Sequence, residues 1–107
     1  MGLRQLPDAP SLSERDFQDQ VVEFARLSGW VLYHTHDSRR SPAGFPDLVL
    51  VRERVVFAEL KAEKGRVTPE QLAWLGRLWQ AGAEAYLWRP SGWPEIERLL
   101  GRRRERA

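Results

Sequence analysis

Cysteine is absent from the 107 residues, which removes disulfides, thiolate zinc sites and thiol nucleophiles from consideration. No apolar run approaches the ~18 residues that a membrane span needs, and the opening MGLRQLPDAPSLS lacks the apolar stretch of a secretion signal. A cytoplasmic protein with no membrane partner is the expectation. A glycine-rich phosphate loop, a Ser-His-Asp set and zinc-finger spacing are also missing, so no small-molecule cofactor is expected. Repeats and a second hydrophobic core are not visible either.

What is present is enough for one modest core. Residues 1–10, with Pro7 and Pro10, read as a flexible arm, 11–100 as one folded domain and 101–107 as a basic tail. Formal net charge is only +2, yet the positives cluster at Arg39 and Arg40, at Arg52 and Arg54, at Lys61, Lys64 and Arg66, and in the tail. Clusters in separate loops point to a polyanion as partner, and arginine suits bidentate phosphate contacts.

A first helix is predicted from about Ser13 to Ser28, with Gly29 as its stop. Its apolar face carries Phe17, Val21, Phe24, Ala25 and Ser28, and Glu14 falls on the same face. Glu23 lies opposite, toward water. Strands follow at Trp30 to His36, at 47–51, at 55–61 and at 83–89. Between the last two, Thr68, Pro69 and Gln71 spell a capped helix start with a Thr-x-x-Gln capping box. Leu72, Leu75, Leu78 and Trp79 form that helix's apolar stripe, and a short helix from Pro94 to Leu100 closes the domain. The expected fold is α/β, in the order α-β-β-β-α-β-α, with a mixed four-stranded sheet flanked by helices. Its first three strands can be antiparallel neighbours, and the helical crossover makes strands three and four parallel.

Within this frame the segment GFPDLVLVRERVVFAELKAEKG stands out, because Asp47, Glu59 and Lys61 occupy strand positions where a core ought to be. With a three-residue hairpin loop, Val51 opposes Val55 and Asp47 opposes Glu59 on one face; an even-numbered loop sends the acids to opposite faces. Two opposed carboxylates repel, and burial raises the cost, so one acid must take a proton or a cation must sit between them. A hard divalent cation, Mg²⁺ first, satisfies such oxygens. Glu14 offers a third acid, with two readings that do not exclude each other: partner of Ser11 in a capping box, and a residue of the site.

Pro46-Asp47 followed by Glu59-Leu60-Lys61 resembles the PD-(D/E)xK nuclease signature. More narrowly, "GFPDLVLV…FAELKAEKGRVTPEQLAWL…AGAEAYLWRP" resembles the VRR-NUC branch, over roughly Glu14 to Leu100. The resemblance implies a restriction-endonuclease-like core and a metal-dependent DNA endonuclease, structure-selective for branched DNA such as Holliday junctions or flaps. It implies a homodimer of the stand-alone, resolvase-like form, whether encoded by a cell or a phage. Carried across, Asp47 and Glu59 are ligands of Mg²⁺ or Mn²⁺, with the Leu60 backbone carbonyl and Glu14 as further ligands. Lys61 orients or deprotonates the attacking water, and Glu14 and Gln71 complete the catalytic set. Arg39, Arg40, Lys64 and Arg66 adjoin the acids in loops and are the expected DNA-backbone contacts.

His34 and His36 share a strand face but lack a third ligand, and read as half-buried strand histidines. Trp74, opposite the apolar stripe, could stack a base or pack a partner, with an interface preferred, and Trp30, Trp79 and Trp88 are assigned to the core. Two rivals stand beside the enzyme: a DNA-binding module that keeps the nuclease fold without turnover, and an interaction domain whose charges form surface networks.

Overall fold

The computed structural model describes residues 12–36 and 41–102. The arm, Arg39 and Arg40, and most of the basic tail therefore lie outside the described residues. The elements run α1 (Glu14–Leu27), β1 (Val31–His34), β2 (Leu48–Val51), β3 (Val55–Leu60), α2 (Pro69–Gln80), β4 (Glu84–Trp88) and α3 (Trp93–Leu100), with a 3-10 turn at Pro90–Gly92 ahead of α3. The order and the mixed sheet are those expected. Strands lie as β1-β2-β3-β4, antiparallel across the first two pairs and parallel across the third.

Helix α1 starts one residue after Ser13, whose hydroxyl accepts the N–H of Asp16 at 3.0 Å. A cap of this kind is worth ~1 kcal/mol. Because Ser13 holds the cap, Glu14 is the first residue of the helix and not the third. Ser11, named for the capping box with Glu14, lies outside the described residues. At the far end Gly29, with φ +92, breaks the helix as its missing side chain allows.

One face of the sheet carries the core. Leu48, Leu50, Val56, Ala58, Leu60 and Trp88 pack against Phe17, Val21 and Ala25 of α1 and Ile96 and Leu100 of α3. The loop between β2 and β3 is the three residues Arg52, Glu53 and Arg54, and Val51 pairs with Val55 as the alternation demands. Their arginines are not open to a polyanion, contrary to the expectation for that cluster. Arg52 donates to the carbonyls of Ser28 (2.8 Å) and Leu100 (3.2 Å), and Arg54 to that of Leu99 (2.7 Å), so the hairpin closes the C-terminal ends of α1 and α3. Both guanidiniums also lie over the Trp30 ring, at 4.5 and 5.2 Å from its centroid. Cations at helix C-termini complement the dipole as well as the unpaired carbonyls.

The opposite face is only partly covered. Helix α2 packs along β4, and its N-terminal half is brought to β3. The expected apolar stripe of α2 is half right: Leu75 is buried and Leu78 partly so, but Leu72 is exposed and Trp79 is 56% exposed. Trp79 is therefore not a core residue, whereas Trp30 and Trp88 are. Trp74 is half-buried: its indole N–H donates to the Ala43 carbonyl at 3.1 Å, and its ring meets Phe45 edge-on at 5.1 Å. The helix is rotated because its first turn is anchored through Gln71, which has to face the sheet.

Candidate active site

Register places the two acids. Leu48 pairs with Ala58, so the next positions outward, Asp47 and Glu59, stand opposite one another on the face away from the main core. The ladder continues through them: the Thr35 N–H donates to the Asp47 carbonyl (2.8 Å) and the Lys61 N–H to the Trp88 carbonyl (3.0 Å). Asp47 Oδ2 accepts the Leu60 N–H at 2.8 Å, which fixes that carboxylate across the strand pair.

Gly44 sets the approach of Asp47. Its φ is +96, and a Cβ built there would lie 2.5 Å from the Glu70 backbone carbon. Only glycine lets the loop before buried Pro46 pass so close to the first turn of α2. The sequence contains that glycine, but the contact that requires it is tertiary and was not foreseen.

Glu59 is 1% exposed. Burial, then the charge of Asp47, push its carboxyl up to about 8 from the ordinary 4.5; the Lys61 ammonium acts in the other direction. Its Oε2 accepts the Gln71 amide at 3.0 Å, while Oε1 is buried with no hydrogen-bond partner among the described residues. Gln71 uses both ends of its amide. Its oxygen accepts the Thr68 N–H at 2.9 Å, completing the capping box, and its nitrogen holds Glu59. The cap explained Gln71 from sequence alone; the contact with Glu59 adds a second role.

Lys61 Nζ lies 3.9 Å from Glu59 Oε2 and 3.9 Å from Glu14 Oε1, so the start of α1 reaches the same cluster. Asp47, Glu59, Lys61, Glu14 and Gln71 are thus drawn together from four elements or their ends. Glu14 meets the lysine, and the described residues form no cluster of three or more acids or histidines shaped to hold a metal ion. The donor set that fits a hard cation is narrower: the Asp47 and Glu59 carboxylates, with the Leu60 carbonyl adjacent in sequence. A buried carboxylate oxygen without a donor is the feature that favours such an ion.

Of the expected DNA contacts, Lys64 and Arg66 are exposed on the loop after β3. Arg89 braces that loop by donating to the carbonyls of Ala62, Glu63 and Gly65 at 2.7–3.0 Å. Arg39 and Arg40 are outside the described residues. Sequence reasoning missed Thr35, whose hydroxyl is buried with no partner among the described residues and whose N–H donates to the Asp47 carbonyl; its sequence signal was a position alternating with Tyr33. The Gln18 amide donates to His34 Nε2 at 2.8 Å, which accounts for that histidine without a metal.

The family model of the VRR-NUC domain matches residues 5–91. The chain belongs to the VRR-NUC family. A solved structure described as a VRR_NUC domain protein is similar to it, with 18% identity over 87% of this chain and 94% of that one and a TM-score of 0.65. At that identity the likeness speaks for the fold, which is that of a nuclease domain. No curated protein matches the sequence significantly. None of the described helices of this VRR-NUC chain is long and apolar enough to cross a membrane.

Proposed function

We propose that this protein is an endonuclease that hydrolyses DNA phosphodiesters with Mg²⁺ or Mn²⁺, acting on branched DNA such as Holliday junctions or flaps. The observation that carries the reading is Glu59: buried opposite Asp47, with one oxygen lacking any donor among the described residues. Left unpaired, that oxygen costs ~1–3 kcal/mol; a proton shared with Asp47 offsets this in the metal-free protein, and a cation between the two carboxylates does so when both are ionised. Family membership supports the same reading at the level of a nuclease domain.

Asp47 and Glu59 hold the cation, with the Leu60 carbonyl beside them and Glu14 at the margin. When bound, such an ion lowers the pKa of a water and offsets charge on the phosphate oxygens. Lys61 steadies the scissile phosphate and orients or takes a proton from the attacking water, and Glu14 positions the lysine. Gln71 keeps the Glu59 carboxylate turned so that Oε1 stays unpaired. Lys64 and Arg66, with Arg39 and Arg40, grip the DNA backbone.

A homodimer extends the DNA footprint, and its contact surface is the end of the uncovered sheet face next to the hairpin of Arg52 and Arg54, away from Tyr33. Val31 is 72% exposed there, alongside Val51 and Val55; this patch replaces Trp74 as the interface. A sedimentation measurement reading a monomer at micromolar concentration removes that part of the proposal.

The test of the activity is incubation with four-way junctions, flaps and plasmid, in Mg²⁺, Mn²⁺ or EDTA. Cleavage is expected only with metal, and Asp47→Ala and Lys61→Ala should each lose at least about 100-fold. Equal cutting by wild type and Asp47→Ala, or no cutting of any substrate, ends the catalytic reading. DNA binding without cleavage promotes the non-catalytic module in its place.

A further inference from the structure

Next to Asp47 lies an open groove of about 1080 Å³, slightly above the ~300–1,000 Å³ of sites that take a whole small molecule. Asp47 and Gln71 line one end of it, so whatever strand reaches the acids passes along the groove. Four aromatic rings line it, those of Tyr33, His36, Phe45 and Trp74, beside Thr35 and the small residues of the loop from Ser41 to Gly44. Tyr33 is 65% exposed and ready to be covered. Phe45 and Trp74 are fixed, by the indole hydrogen bond to Ala43 and by edge contacts of Phe45 with Trp74 and, at 6.0 Å, with Phe57.

Among the described residues no lysine or arginine lines this groove, and Asp47 is the one acid that does. The described cations near the acids lie elsewhere, at Lys61 and on the loop carrying Lys64 and Arg66. What fits beside the acids is the uncharged, flat part of a nucleotide. A base inside a duplex has both faces taken by its neighbours, so it offers nothing to Tyr33; an unpaired base does.

Resting on the nuclease reading, we propose that the groove is a subsite for one unpaired base of the DNA strand being cut, next to the scissile phosphate, with Tyr33 stacking on it and Phe45 and Trp74 forming the rigid floor. Substrate choice then follows from chemistry: strands with an unpaired nucleotide at the cleavage position are preferred over intact duplex.

The test is binding of a short fluorescent thymidine oligonucleotide and of the same oligonucleotide with abasic residues, in Ca²⁺ in place of Mg²⁺ so that both stay whole. Wild type should hold the thymidine strand about tenfold more tightly, from base–aromatic stacking. Tyr33→Ala should lose that preference while binding the abasic strand as before, and Tyr33→Phe should keep it. The thymidine strand should also quench tryptophan fluorescence less in Trp74→Phe. Equal affinity of wild type for the two strands, retained preference in Tyr33→Ala, or equal binding of blunt duplex overturns the subsite. Base preference without metal-dependent cleavage leaves the subsite standing and removes the nuclease; cleavage without base preference does the reverse.

Discussion

Glu59→Gln should make the metal-free protein more stable at pH 8, although it alters one of the proposed ligands. In the folded chain the Glu59 carboxyl is pushed up to about 8, first by burial and then by Asp47, against the ordinary 4.5 of an unfolded chain. Between those values the folded state keeps a proton that the unfolded state releases. The stabilisation is therefore complete below about pH 4.5, falls as pH rises, and is gone above about pH 8. Each tenfold change in proton affinity is worth about 1.4 kcal/mol, so the full span has a ceiling of about 5 kcal/mol. Relaxation and water entry around a buried carboxylate bring the real figure to a few kcal/mol. Glutamine accepts the Gln71 amide in the same way and does not titrate. Urea midpoints in EDTA from pH 5.5 to 8.5 should show wild type losing about 2–3 kcal/mol relative to Glu59→Gln. At pH 8, Mg²⁺ at about a hundred times its dissociation constant should return ~2.7 kcal/mol to wild type and much less to the variant. Parallel pH curves for the two proteins would refute the burial argument at its root.

Three further outcomes follow from named contacts. Gln71→Ala removes the acceptor of Thr68 N–H and the donor to Glu59, and should cost ~1–2 kcal/mol in a urea melt; Gln71→Glu keeps the cap but sets an acid against Glu59, so cleavage should fall more than about tenfold with little loss of α2 helicity by circular dichroism. Gly44→Ala drives a Cβ into the Glu70 backbone at a positive φ and should cost at least ~2 kcal/mol, with cleavage falling further because Asp47 follows in the same loop. Arg52→Ala strips the carbonyls of Ser28 and Leu100 of their donor and should lower stability by ~2 kcal/mol while leaving the DNA affinity of the folded protein unchanged; a drop in affinity alone would return that arginine to the DNA surface.

The element order was legible because its signals are local: the capping box at Thr68, the glycine after α1, the three-residue loop at Arg52 to Arg54. From that loop alone, parity put Asp47 and Glu59 on one face. What could not be read depends on contacts between distant parts of the chain. Trp79 has helical spacing for a core residue, but Gln71 is pulled to Glu59, and this brings Trp74 against Phe45 and leaves Trp79 outside. Arg52 and Arg54 look like DNA-binding charges until the ends of α1 and α3 are found beside them. The place of Glu14 beside Lys61 depends on how α1 packs on the sheet, which no local signal carries.

The same end of the sheet gathers two helix starts, that of α1 at Glu14 and that of α2 near Gln71, and both present the positive end of a helix dipole. Dipoles of this kind favour carboxylate over carboxylic acid by ~0.3–1 kcal/mol each, and up to ~2 kcal/mol when partly buried. On that ground alone Glu59 should be easier to ionise than usual. It is harder, because desolvation of a side chain with almost no exposure costs several kcal/mol and Asp47 adds repulsion across the strand pair. Two helix ends and one ammonium at 3.9 Å do not offset that sum. The deficit is what a doubly charged ion removes, since it acts on both carboxylates at once, whereas Lys61 is shared with Glu14. On this reasoning Lys61→Met should raise the Glu59 pKa still further and weaken metal binding only modestly, by isothermal titration with Mn²⁺. A loss of metal affinity as large as that caused by Asp47→Ala would mean that the lysine, and not the pair of acids, organises the site.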